Sequence, residues 1–291
     1  MSAMVPRSGV WAAMTAGLGA ACLLLAGCGA YFLPRQQKAS AMAAAAGWDY
    51  RLLTAGPFAL ASATGPSAQG SQTLTVYLEG DGLAFLGNGR SSPDPTPNDP
   101  YGLRLALSHP GGQAAYLGRP CQYSLVAACT PRYWTSHRYA PEVIAAVGDA
   151  LSQLKRRTGA RRLILVGYSG GGALAALLAA RRDDVAALVT IAANLDLGEW
   201  TRREGLTPLW GSEDPATQAA ALRGLPQVHL VGGRDEVVPP YVMRSFLAKM
   251  GPGATPAMEL PEFGHDCCWA DDWGRLARLP AITALPGWRS P

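Results

Sequence analysis

The stretch that most constrains this chain is Leu163 to Gly172, which reads Leu-Ile-Leu-Val-Gly-Tyr-Ser-Gly-Gly-Gly. Behind it, Ala173 to Ala180 contains only alanine and leucine. Four apolar residues run into a Gly-x-Ser-x-Gly turn, Gly167 to Gly171, and the Ala/Leu run after it is a strong helix former. A buried strand, a sharp turn and a helix packed back along the strand satisfy all three parts at once. Glycines two before and two after Ser169 let strand and helix pass closely, so the serine hydroxyl points clear of both. The Gly170 amide then lies at the helix N-terminus, where developing negative charge is stabilised.

The rest of the chain repeats this alternation. Tyr50–Thr54 and Phe58–Ala63, either side of Gly56-Pro57, read as an antiparallel hairpin. Further strands are predicted at Leu74–Leu78, Gln113–Leu117, Ala186–Ala192, Val228–Val231 and Ala257–Leu260. Helices are predicted at Leu103–Ser108, Pro141–Arg157 and Tyr241–Met250. In the second of these Val143, Ile144, Val147, Leu151 and Leu154 recur at helical spacing, with proline in the first turn. The pattern predicts an α/β fold: a mostly parallel central sheet with helices on both faces, preceded by the antiparallel hairpin. Trp200 to Leu225 is less regular and is a candidate small lid. Asn88 to Pro100, crowded with Pro, Asp, Asn and Ser, is a surface loop.

Charge and spacing exclude several classes. The 25 basic and 21 acidic side chains leave a net charge of only +4 with no basic run, which argues against nucleic acid as a partner. The cysteines lack paired zinc spacing, and Gly170-Gly171-Gly172 is not followed by Gly-Lys-Ser/Thr as a phosphate loop would be. Neither a metal nor an organic cofactor is implied.

At the N-terminus Arg7 precedes an apolar stretch, Trp11–Ala26, too short and too Gly-rich for a comfortable membrane span. It ends in Leu25-Ala26-Gly27-Cys28, which resembles the lipobox of bacterial lipoproteins. The resemblance implies that residues 1–27 are a lipoprotein signal peptide and that Cys28 is acylated. It also implies that the protein faces the periplasm, anchored by lipid in the bacterial envelope. Gly29, in place of the aspartate that marks inner-membrane retention, points to the outer membrane. Residues 28–47, Ala- and Gln-rich without an apolar period, read as a tether, which leaves 48–291 as the folded domain. In an oxidising compartment Cys121 and Cys129, close together in a Pro- and Tyr-rich loop, are expected to pair. The state of the neighbours Cys267 and Cys268 stays open.

A serine needs a base to take its proton and a carboxylate to orient that base. Of the four histidines, His109, His137 and His229 lie in settings that read as structural. His265 alone follows a terminal strand on a loop, after Gly264. Asp235, just past Val228–Val231, is the candidate acid, with Asp196 past the previous strand as its competitor. Asp266, beside His265, is given no part in the triad.

The order Ser169, Asp235, His265 on strand ends, with Gly-Tyr-Ser-Gly-Gly as the turn, resembles the α/β-hydrolase family from about Tyr50 to the C-terminus. Tyr-Leu-Glu-Gly-Asp-Gly at 77–82 and Arg-Pro-Cys-Gln-Tyr at 119–123 are similar to bacterial α/β-hydrolase lipoproteins of uncharacterised activity. In that family the loop after the third strand, usually His-Gly-x, supplies the second oxyanion-hole donor beside Gly170. Here the loop reads Glu79-Gly80-Asp81, so the resemblance implies the Asp81 amide, with Gly82 as the alternative. Carboxylates at that place disfavour an oxyanion unless they turn away or are neutralised. The implied activity is cleavage of an ester or related acyl bond in a small-molecule substrate through an acyl-enzyme, by a monomer. Acyl transfer or peptide cleavage by the same triad, and a non-catalytic binding lipoprotein on a hydrolase scaffold, are the competing readings. Tyr133 to Arg138 reads as core-and-cap packing rather than as pocket wall.

Overall fold

The computed structural model describes residues 34–66, 71–253 and 257–289. The signal-peptide reading of 1–27 and the lipidation of Cys28 lie outside the described residues.

Strands β1 (Asp49–Ala55) and β2 (Phe58–Thr64) form the expected antiparallel hairpin. Gly56 makes its tight turn possible with φ +56°. Six further strands follow: β3 (Thr73–Leu78), β4 (Gln113–Leu117), β5 (Arg162–Tyr168), β6 (Val185–Ile191), β7 (Gln227–Gly232) and β8 (Ala257–Leu260). They join one sheet in the order β1-β2-β4-β3-β5-β6-β7-β8, parallel from β4 to β8. Because β3 to β8 run the same way, all their carboxyl ends open on one edge of the sheet. Ligand sites of open parallel sheets form at that edge.

Helices cover both faces. On one face lie α3 (Pro141–Thr158), α4 (Gly170–Ala179) and α6 (Pro240–Met250), together with the 3₁₀ turn Pro215–Leu222. On the other lie α1 (Arg35–Ala45), α2 (Tyr101–Leu107) and the short helices α7 (Trp273–Leu276) and α8 (Pro280–Thr283). The sequence of α3 specifies both its ends. Pro141 opens it, Glu142 sits in the first turn, Lys155, Arg156 and Arg157 in the last, and Gly159 closes it at φ +70°. By contrast α4 is buried all round. That is why its sequence carries no polar face.

Residues 35–45 depart from the tether reading. They form α1, which buries Ala39 and Ala43 against the α2 side of the sheet. Arg35 reaches the Thr96 carbonyl (2.6 Å) and Lys38 the Asn98 carbonyl (2.8 Å). Alanines four apart make a flat helical face that shows little hydrophobic contrast in sequence, but that face lets the backbone approach closely. The candidate lid also divides. Its first part contains most of α5 (Leu197–Arg203), whereas Ala216, Ala219 and Leu222 are core residues.

A disulfide joins Cys121 to Cys129 (Cα–Cα 5.6 Å). Cys267 and Cys268, whose state the sequence left open, are bonded to each other. Among the described residues no helix is long and apolar enough to cross a membrane, and no group of three or more His, Cys, Asp or Glu is placed to hold a metal ion.

Candidate active site

Ser169 stands at the junction of β5 and α4 with φ +51° and ψ −123°, a region that residues with a side chain rarely adopt. The glycines around it are required by contact. A Cβ on Gly167 would overlap the backbone of Gly171 and Gly172, and one on Gly171 would sit 2.5 Å from the Glu79 carbonyl oxygen. The strained turn is held by the Ser169 amide, which donates to the Ile191 carbonyl at 2.8 Å.

His265, on the loop after β8, brings Nε2 to 3.0 Å from Ser169 Oγ. Its Nδ1 lies 2.9 Å from Asp235 Oδ2. Asp235 follows β7 and its side chain is fully buried. Its other oxygen accepts the amides of Val237 (2.9 Å) and Val238 (2.7 Å), which leaves Oδ2 aimed at the imidazole. Asp196 is engaged elsewhere. It caps α5 through the Glu199 amide and accepts from Ser245 (2.6 Å) and Lys249 (2.6 Å). The structure thus brings Ser169, His265 and Asp235 together and leaves Asp196 out.

The remaining histidines pack. His109 bonds Tyr77 and His229 bonds Thr190, and burial pushes both imidazoles down to about 4. His137 bonds Ser136 and packs edge-on against Trp210.

The alpha/beta hydrolase fold family matches residues 85–230, half of the chain. The chain belongs to the α/β-hydrolase fold family. No curated protein matches it. A serine hydrolase without a lid from Xanthomonas campestris is similar in structure, at 14% identity and TM-score 0.56, over 84% of this chain and 97% of that one. An esterase from Pyrococcus furiosus is similar at 12% identity and TM-score 0.57, over 80% and 92%. A puromycin hydrolase is similar at 19% identity and TM-score 0.55 over 78% of this chain, which spans only 37% of that protein. At such identities the likeness is one of fold.

In this chain the histidine loop is clamped by residues outside the predicted triad. Tyr168, next to Ser169, donates its hydroxyl to Asp266 Oδ1 at 2.7 Å. The Trp269 indole donates to the carbonyls of Gly264 (3.0 Å) and His265 (3.1 Å). Tyr101 stacks on Tyr168 at 4.4 Å and reaches the Asp266 carbonyl at 2.7 Å.

The loop after β3 carries Asp81 beside the serine turn, so close that a Cβ on Gly170 would overlap the Asp81 carboxylate. Neither the Gly170 nor the Asp81 amide donates to another group among the described residues. The Asp81 side chain ion-pairs with both Arg119 and Arg138. Tyr139 adds its hydroxyl to the carboxylate at 3.2 Å. Burial alone would raise this carboxyl, but the Arg138 and Arg119 charges outweigh it and hold it below the usual range. Glu79 behaves differently. It accepts the amides of Gly80 (3.0 Å) and Gly102 (2.9 Å) and lies near the Tyr116 hydroxyl (3.1 Å). With no cation beside it, burial pushes it up to about 7.

Ser169 and His265 line a cleft of about 1300 Å³. Phe85, Leu206 and Val237, each about half exposed, form apolar wall at its mouth. Of the Tyr133–Arg138 stretch, Tyr133 and Trp134 are core, whereas Thr135, Ser136 and Arg138 line the cleft. Packing and pocket readings of that stretch each hold for part of it.

Proposed function

We propose that this protein is a serine hydrolase that cleaves an ester or related acyl bond through an acyl-enzyme. The observation that carries the reading is the chain of contacts Ser169 Oγ to His265 Nε2 (3.0 Å) and His265 Nδ1 to Asp235 Oδ2 (2.9 Å), at a strained strand–helix turn that opens into the cleft. Ser169 attacks the substrate carbonyl while His265 takes its proton. The same imidazole returns that proton to the departing alcohol, and water then repeats the sequence on the acyl-enzyme. Asp235, fixed by two amides, holds the ring in its tautomer and stabilises the imidazolium. The amides of Gly170 and Asp81, which donate to no other group among the described residues, serve the oxyanion. A single such donor is worth about 10²–10³ in turnover.

The cleft exceeds the roughly 300–1,000 Å³ of ordinary small-molecule sites, and apolar side chains edge it. An acyl or alcohol group of substantial apolar surface fits it best. We further propose that the chain is tethered to the bacterial envelope by acylation of Cys28. Metabolic labelling with a palmitate analogue tests this: Cys28→Ser should lose the label, and a label that persists sinks the tether.

Turnover of p-nitrophenyl acetate and butyrate by the full chain and its Ser169→Ala variant tests the chemistry. Loss of roughly 10⁶-fold is expected in the variant. A folded Ser169→Ala protein that keeps its turnover would remove Ser169 as nucleophile.

A further inference from the structure

The carboxylate beside the oxyanion donors poses an electrostatic problem that the surrounding residues solve. As the tetrahedral intermediate forms, a full negative charge develops next to the amides of Gly170 and Asp81. An ionised Asp81 side chain within a few ångströms opposes it, and in a buried site that opposition is poorly screened. Two guanidinium groups face this one carboxylate, so the cluster carries one net positive charge. Arg119 and Arg138 are themselves buried, with 6% and 8% of their side chains exposed. Buried charges of this kind are retained only where every partner is in place.

The partners are in place. Arg119 donates to the Arg138 carbonyl at 2.5 Å, and its guanidinium stacks over the Tyr139 ring at 5.1 Å. A Cβ on Gly170 would stand 2.8 Å from Arg119 Nη1, so this pair lies against the residue that offers one of the two amides. Gln122 accepts the Arg119 amide (3.1 Å) and donates to the Gly80 carbonyl (2.9 Å), which ties the arginine segment to the Asp81 loop. The Cys121–Cys129 disulfide closes the same segment. Arg138 donates through Nε to the Thr135 carbonyl (2.9 Å) and lines the cleft with Ser169.

We infer that Arg119 and Arg138 are positioning residues for the oxyanion site: through Asp81 they hold its loop beside Ser169 and turn the local charge from negative to positive. The inference rests on the serine-hydrolase reading above. It predicts that turnover follows the charge of the cluster rather than the shape of one side chain.

The test is steady-state kinetics on p-nitrophenyl butyrate with four full-length variants, each checked for folding by thermal denaturation. Arg138→Lys keeps the charge and should stay within about threefold of wild type in kcat. Arg138→Gln makes the cluster neutral and should lower kcat by about tenfold or more with KM little changed, because the oxyanion exists only beyond the ground state. Asp81→Asn with Arg138→Gln restores the positive charge and should return kcat to within a few-fold of wild type. Equal loss in Arg138→Lys and Arg138→Gln overturns the inference, as does a double variant no better than Arg138→Gln. If Arg138→Gln does not fold, Arg119→Gln alone decides. It also makes the cluster neutral and should lower kcat by about tenfold with KM little changed, and a folded Arg119→Gln protein within about threefold of wild type overturns the inference. A folded wild-type protein with no turnover and no fluorophosphonate labelling would sink the hydrolase reading and this inference with it. An active wild type with a failed variant series sinks the inference alone.

Discussion

Asp196 and Asp235 sit just beyond neighbouring strands, yet their partners assign them opposite work. Asp235→Asn should preserve the fold and cost about 10⁴-fold in kcat, because the amide no longer selects the working imidazole tautomer. Asp196→Ala should leave kcat per folded molecule unchanged. It removes a helix cap and strands Lys249, so a loss of about 1–3 kcal/mol is expected in chemical denaturation. The reverse pattern would exchange their roles. Ser169, His265 and Asp235 were legible because each is announced by its own neighbourhood: a glycine turn, a post-strand loop, a Gly-Gly-Arg-Asp strand end. Arg119, Arg138 and Tyr139 were not, since what matters is their meeting with Asp81, some 38 to 58 residues earlier in the chain. A weak signal existed: two arginines flank the cysteine pair in a chain whose charged content is only 16%.

At the level of elements, periodicity located β4 and β8 to the residue and the other strands within one or two, because sheet burial writes itself as apolar runs. It failed for α1, whose contact face is alanine. Ala39 and Ala43 are fully buried, so Ala39→Glu should undock α1 and lower stability by several kcal/mol. Turnover at low temperature should survive, as α1 packs on the sheet face away from α4. Unchanged thermal denaturation in Ala39→Glu would mean the helix is not held by that face. The irregular stretch from Trp200 to Leu225 divided for a related reason. Its 3₁₀ turn buries Ala216, Ala219 and Leu222 three residues apart, a spacing that neither strand nor α-helix templates detect.

For the whole molecule, the parallel sheet gathers residues from five strand ends onto one edge, and burial there sets a pH dependence. Glu79 ionises at about 7 in the folded protein against an ordinary 4.5, chiefly because it is buried, with Asp99 adding to the rise. The unfolded chain loses that proton first. Between 4.5 and 7 the native state therefore binds more protons, and stability falls as pH rises through this window, by about 3 kcal/mol from this group. Glu79→Gln mimics the protonated form and keeps an acceptor for Gly80 and Gly102. Its urea midpoint should vary less across the window than wild type and exceed it at pH 8. A wild-type midpoint that rises with pH over 4.5–7 while Glu79→Gln stays flat would contradict this. The most direct measurement of all is fluorophosphonate labelling of the folded protein, with the adduct mapped by mass spectrometry. Tryptic cleavage isolates residues 163–181, in which Ser169 is the only serine. An adduct on that peptide, absent in Ser169→Ala, is the expected result; a folded protein that takes no label there would contradict an activated serine at the centre of this site.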